Sequence, residues 1–319
     1  MKDRLDPAGI RIRRAEGAER RACRMLLETG PEGLGQVDEL LLAITTDPAP
    51  RMLGALALLS LRDAAGAAAL LVSGRVVGPW RRRGVGSLLL ETALVEARQR
   101  GARSLVVQND PRADPDGAAF LAAKGFVRAE ELRTFEASTA RLAGHICALR
   151  DRLRQANRIP PEARVVPLRE APLAQVARLH ADHLTGTPQT VAERLNELLV
   201  RDDGGHHGAL MLGDELLGLV LVRTVEGVSS VESRVLAPTG RAAAGSGWAS
   251  VLPLAEGLDA ALARGSRVVR FSCNSGNHQT LRLAARCGAT VVGEHWVHRL
   301  ELTAAGAPAA PSTRTPAAS

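Results

Sequence analysis

The sequence predicts an α/β protein built as two similar halves of mixed strands and helices. Three observations carry this. First, an apolar run ends at Val77, a Pro/Trp/Arg turn follows, and Gly84 and Gly86 open a helical pattern. In that pattern Leu90, Ala93, Leu94 and Ala97 recur at i, i+3, i+4 and i+7 before a capping Gly101. Second, the elements of the first half read β-α-β-β-β-α-β-α-β, which is mixed rather than strictly alternating. Third, the plan recurs: Gly101-Ala102-Arg103 before a buried strand matches Gly265-Ser266-Arg267, and Lys124-Gly125 matches Cys287-Gly288 before a final strand.

Taken in order, Ile10-Arg11-Ile12-Arg13 alternates as a first strand, and residues 16–28 carry helical spacing through Ala18, Ala22, Met25 and Leu26. Strands are expected over 40–45, 52–61 and 67–77, the last feeding the glycine turn. Ser104-Leu105-Val106-Val107 reads as a short buried strand, 110–117 as a loop and 118–123 as a helix. A strand then starts at Gly125-Phe126-Val127. Residues 140–157 place Leu142, Ile146, Leu149 and Leu153 on one helical face and stop before Ile159-Pro160-Pro161, which marks a linker. In the second half, strands are expected at 163–168, 208–212, 216–225, 229–236, 268–272 and 291–302. Helices are expected at 171–184, 191–200, 250–264 and 279–286. Residues 304–319, with Pro308, Pro311 and Pro316 among Ala, Ser and Thr, read as a disordered tail.

Composition excludes several classes. At 319 residues the chain is long enough for two ordinary domains, and 45% apolar residues supply a sizeable core. No uninterrupted apolar stretch of about 18 residues exists to cross a bilayer. The start, Met1-Lys2-Asp3-Arg4-Leu5-Asp6, lacks the apolar core of a signal peptide. Cys23, Cys147, Cys273 and Cys287 show neither zinc-site nor disulfide-framework spacing, so a cytoplasmic protein with reduced thiols and no metal is expected. The net charge of +7 is spread evenly, and a chain with no Tyr, four Phe and three Trp has little to stack on bases. Nucleic acid and membrane are therefore not expected partners.

The glycine turn carries the chemistry. A helix N-terminus leaves backbone N–H groups unpaired and is partially positive, so a pyrophosphate can dock there. Gly84 and Gly86 allow close approach, and Arg81, Arg82 and Arg83 add charge-assisted donors. Two glycines alone between a strand and a helix are more often a plain turn. The dinucleotide fingerprint fails because Leu89 stands where a third glycine is required, and no Gly-Lys-Ser/Thr follows to make a P-loop.

The pattern Arg81-x-x-Gly84-x-Gly86 after an apolar strand resembles the acetyl-CoA pyrophosphate loop of the GNAT acyltransferase superfamily. The resemblance covers nearly the whole chain. It implies two tandem GNAT-like domains, each a mixed, mostly antiparallel twisted sheet flanked by helices. These span 9–139 (with the cofactor cradle) and 163–303 (with a degenerate one), joined by 140–162. It also implies an N-acetyltransferase: an amine, small-molecule or otherwise, attacks acetyl-CoA directly.

Carried over residue by residue, the resemblance makes Arg81, Arg82, Arg83, Gly84, Val85, Gly86 and Ser87 the cradle, and Val76 and Val77 the backbone partners of the pantetheine arm. It makes Glu232 the candidate base. Departures are plain. The tyrosine that commonly protonates the leaving thiolate is Leu121 in the first half and Ala284 in the second, and the helix-leading asparagine is Asp114 and Asn277. With no tyrosine in the chain, Cys287, His278, a serine or water remains as acid; otherwise the protein is a non-catalytic binder or scaffold. The second cradle, residues 241–247, has one residue too many, and Pro253 requires its helix to start near Ser250. His206 and His207 read as exposed loop residues. Trp296 and His298 share a strand face, forming either a substrate wall or core and edge packing.

Overall fold

The computed structural model describes residues 9–27, 37–62, 67–184, 186–200, 205–237 and 247–302. The expected 304–319 tail and most of the second cradle lie outside them. The first half runs β1 (Ile10–Arg14), α1 (Ala18–Leu27), β2 (Glu39–Thr45), β3 (Met52–Arg62), β4 (Ala68–Val76), α2 (Val85–Gln99), β5 (Ser104–Asn109), α3 (Pro115–Ala123) and β6 (Val127–Ser138). The long helix α4 (Thr139–Gln155) leads into the second half. There follow β7 (Ala163–Pro167), α5 (Leu173–His183), α6 (Pro188–Val200), β8 (His206–Leu212), β9 (Glu215–Val225), β10 (Val228–Leu236), α7 (Trp248–Ala263), β11 (Val268–Asn274), α8 (His278–Arg286) and β12 (Thr290–Glu301). Among the described residues the fold is thus a mixed α/β protein, with the element order that the repeat predicts.

All of these strands form one sheet of 12, ordered β1-β2-β3-β4-β5-β12-β6-β11-β10-β9-β8-β7. It is mostly antiparallel; β4 with β5 and β10 with β11 are parallel. The middle is where the halves meet, and there the last strands are exchanged. β12 lies between β5 and β6, while β6 pairs with β12 and β11. Each half therefore hydrogen-bonds its final strand to the penultimate strand of the other. The sequence shows the repeat but not this exchange, because both final strands carry similar patterns and pairing partners are a matter of global topology.

Sheet faces follow the period of two. Along β2, Leu41 and Ala43 join the cluster under α2, while Leu40, Leu42 and Ile44 join the cluster under α1. With helices on both faces every residue of β2 is buried, which is why it reads as an unbroken apolar run. α2 turns Val85, Leu89, Ala93 and Ala97 into the first cluster. α4 lays Leu142, Ala143 and Ile146 over α7 and the exchanged β6. The second half also reaches the first directly: the Gly186 N–H donates to the Ser60 carbonyl (2.6 Å), Thr190 Oγ1 donates to Asp38 (3.1 Å), and Arg62 pairs with Asp182 (3.8 Å).

One local expectation needs correction. α7 begins at Trp248, not near Ser250, and keeps Pro253 inside its second turn. Burial explains the tolerance: Trp248, Val251, Leu252, Pro253, Leu254 and Ala255 are all buried, and this packing offsets the missing backbone bond.

Candidate functional site

β4 and β5 are paired only over Ala69–Leu71 against Ser104–Val106, yet they continue to Val76 and Asn109. Their C-terminal ends therefore part, and the gap exposes backbone that no neighbouring strand takes. β10 and β11 part likewise after Ser230 and Arg270. The two gaps are equivalent positions in the repeat.

At the mouth of the first gap the chain makes a short 3-10 turn, Gly78–Trp80, whose Trp80 N–H donates to the Val77 carbonyl (2.8 Å). Val77 itself is tied to β3 through its N–H to Leu53 (2.9 Å). Arg82 (φ 62°) and Gly84 (φ 89°) then adopt left-handed backbone, and α2 starts at Val85. The Leu88 N–H reaches the Gly84 carbonyl (3.1 Å). Among the described residues no backbone carbonyl takes the N–H groups of Val85, Gly86 or Ser87. A Cβ at Gly84 would meet nothing within 4 Å, so the space over the helix start is open. Val85, 1% exposed, anchors the turn in the core. A Cβ at Gly86 would lie 3.7 Å from both Val76 and Phe120.

The three arginines differ. Arg81 folds back so that its Nε donates to the Val76 carbonyl (3.3 Å), Arg83 stacks its guanidinium 5.2 Å from the Trp80 ring centre, and Arg82 is exposed. An anion at this helix start thus meets free N–H groups, a positive helix end and nearby guanidinium groups. The residues present fit the pyrophosphate of a coenzyme A.

The second gap is built differently. Register equates Gly74, opposite Leu56, with Arg234, opposite Val220. A glycine against which Leu56 packs closely in the first half is thus an arginine in the second. Gly247, which caps α7, is in ordinary right-handed backbone (φ −56°) rather than the left-handed form of Gly84. Residues 238–246 lie outside the described structure. Glu232 sits at a bulge, the register of β10 against β9 shifting between Val231 and Ser233. Its Oε1 is 2.9 Å from Arg223 Nε and its Oε2 is 3.3 Å from Arg194 Nη2. Both carboxylate oxygens of the candidate base already face guanidinium groups.

Asp114 and Asn277 prove to be equivalent helix caps. Asp114 accepts from the Gly117 N–H (3.1 Å) and Asn277 from the Thr280 N–H (3.1 Å). Leu121 and Ala284 are buried core residues. Of the substitute acids, Cys287 is 1% exposed and burial pushes its thiol up, which suits packing more than proton transfer. His206 and His207 are corrected from an exposed loop to the partly buried start of β8. Burial, then Arg264 and His207, hold His206 below the usual histidine range.

Trp296 and His298 lie on a central strand of the sheet, between β5 and β6. His298 is 6% exposed, its Nε2 has no partner, and burial followed by Arg128 holds the ring below the usual histidine range. Arg128 stacks 4.0 Å from the Trp296 ring centre. Sequence reasoning raised this pair without placing it, because only the strand exchange says which gap it faces.

No protein-family model and no curated protein matches the sequence. Solved structures do match in fold. A GCN5-related N-acetyltransferase from Sphaerobacter thermophilus is 15% identical with a TM-score of 0.52, over 92% of this chain and 96% of that one. A tandem GNAT protein from the clavulanic acid biosynthesis pathway, determined without AcCoA, is 19% identical with a TM-score of 0.54, over 92% and 98%. A putative acetyltransferase from Pyrococcus horikoshii is 16% identical with a TM-score of 0.53, over 94% and 92%. The chain has the tandem GNAT fold.

Proposed function

We propose that the protein is an acetyl-CoA-dependent N-acetyltransferase that acts on an amino-group acceptor by direct transfer, with the cofactor in the first half. The observation that carries this is the parting of β4 and β5 beside an uncapped α2, with Gly84 left-handed and open space above it. Bound there, acetyl-CoA supplies a thioester whose acyl carbon is open to an amine. The N–H groups of Val85, Gly86 and Ser87 and the side chains of Arg82 and Arg83 hold the diphosphate. The Val76 backbone on the gap side of β4 orients the pantetheine arm, and Val77, bonded to Leu53 and Trp80, holds that end of the strand in place. Positioning and desolvation supply most of the rate in such a site.

A second reading is favoured by one observation. Glu232 is paired with two arginines, and the chain contains no tyrosine, so a protein that binds coenzyme A without turnover is the alternative. Calorimetric titration with acetyl-CoA, followed by thiol release over a panel of amines, tests both. Binding with release supports the enzyme; binding without release over the whole panel supports the alternative. The absence of binding refutes both.

A further inference from the structure

The repeat makes one asymmetry conspicuous. Where β11 meets the exchanged β6, Phe271 stands opposite Phe135 and the rings stack with centres 5.6 Å apart. At the equivalent crossing, β5 meets the exchanged β12 with Val107 opposite His298. An apolar stack in one half is thus replaced in the other by a buried imidazole whose Nε2 has no partner. A core position filled equally well by phenylalanine has no packing reason to carry an unsatisfied polar ring, since burying it unpaired costs about 1–3 kcal/mol.

The position of the ring supplies a reason. Pairing between β4 and β5 ends at Leu71 and Val106, so Val107 is the first β5 residue beyond the parting, and His298 is its direct cross-strand neighbour. Alternate residues share a face. Leu300, two residues on, packs in the cluster of Leu105, Leu121 and Phe126 and comes within 3.7 Å of a Cβ built on Gly125. His298 therefore lies at the root of the gap, on the face covered by α3, where Leu121 replaces the tyrosine.

We propose that His298, carried into the first gap by the last strand of the second half, is the catalytic residue that moves a proton at the thioester sulfur. The inference rests on the acetyl-CoA reading above. Transfer forms a C–N bond and breaks a C–S bond whose electron pair leaves with sulfur. One proton leaves nitrogen and one reaches sulfur. A neutral imidazole that accepts the first at Nε2 and delivers it to sulfur balances the reaction and ends unchanged. Burial and Arg128 keep the ring in the neutral form that this requires. The strand exchange is then functional: the first gap is incomplete without the second half.

The test uses the full chain and coenzyme A itself, and so needs no acceptor. Wild type, His298→Phe and His298→Gln are compared for coenzyme A binding by calorimetry and for titration of the bound thiol by thiolate ultraviolet absorbance. Phenylalanine copies residue 135 and glutamine keeps a polar side chain, so at least one folded variant is expected. The expected result is that both variants bind coenzyme A. The thiol bound to wild type should titrate about one unit lower than in His298→Phe, an approximately tenfold difference in thiolate at a given pH. An identical thiol titration in wild type and a folded, coenzyme-binding variant overturns the role of His298 and leaves the cofactor reading standing. Failure of wild type to bind coenzyme A overturns the cofactor reading, and this inference with it.

Discussion

Replacing Gly84 by alanine and by glutamate separates the backbone demand of the turn from its anion-binding role. Gly84 holds φ 89° and ψ −14°, and a Cβ there would meet nothing within 4 Å. Alanine therefore adds no clash and only the left-handed penalty, about 1–2 kcal/mol. In a chain of this size that lowers Tm by roughly 1.5–3 °C. Glutamate carries the same backbone penalty and adds a negative charge over the α2 N-terminus. A unit phosphate charge about 6 Å away, at an effective dielectric of about 20–40, is repelled by roughly 1.4–2.8 kcal/mol. Acetyl-CoA affinity should then fall about 10- to 100-fold below that of the alanine variant, while the two variants melt alike. Thermal unfolding and calorimetric titration of the three proteins read both quantities. A folded Gly84→Glu protein that binds acetyl-CoA as tightly as Gly84→Ala would refute the cradle, and an alanine variant as stable as wild type would refute the conformational argument.

Other outcomes follow from the same geometry. Glu232→Gln removes one charge from a partly exposed cluster with Arg194 and Arg223, so stability measured by denaturant titration should change by about 1 kcal/mol or less. If Glu232 is the base, thiol release should drop about 100-fold or more, and an unchanged rate assigns it to structure. Phe135→Ala opens the stack against Phe271 at the exchanged strand and should cost about 3–5 kcal/mol. Because β6 is bonded only to strands of the second half, scanning calorimetry should show one transition in wild type; two well-separated transitions would mean that the halves fold independently. His206 and His298 titrate below the unfolded histidine value of about 6.5, so the unfolded chain binds more protons as pH falls. Stability should be full above that pH and decline below it, with a shallower decline in His298→Phe; an equal slope in the two proteins counts against a neutral buried ring.

Much of this protein was legible in its sequence because the signals are local. Apolar periodicity placed α2 and β3, the Gly101 and Gly265 repeat declared two halves, and Arg81-x-x-Gly84-x-Gly86 singled out the turn whose glycine is left-handed. Those features depend on backbone sterics and on which residues can be buried within one element, and neighbouring residues decide both. Tertiary structure alone decided the exchange of β6 and β12, the two guanidinium groups against Glu232, the cation in place of Gly74 in the second gap, and the location of His298. Each is a meeting of residues remote in sequence. Strand partners are chosen by the closure of the whole sheet, and a side chain's period says which face it shares but not what stands opposite.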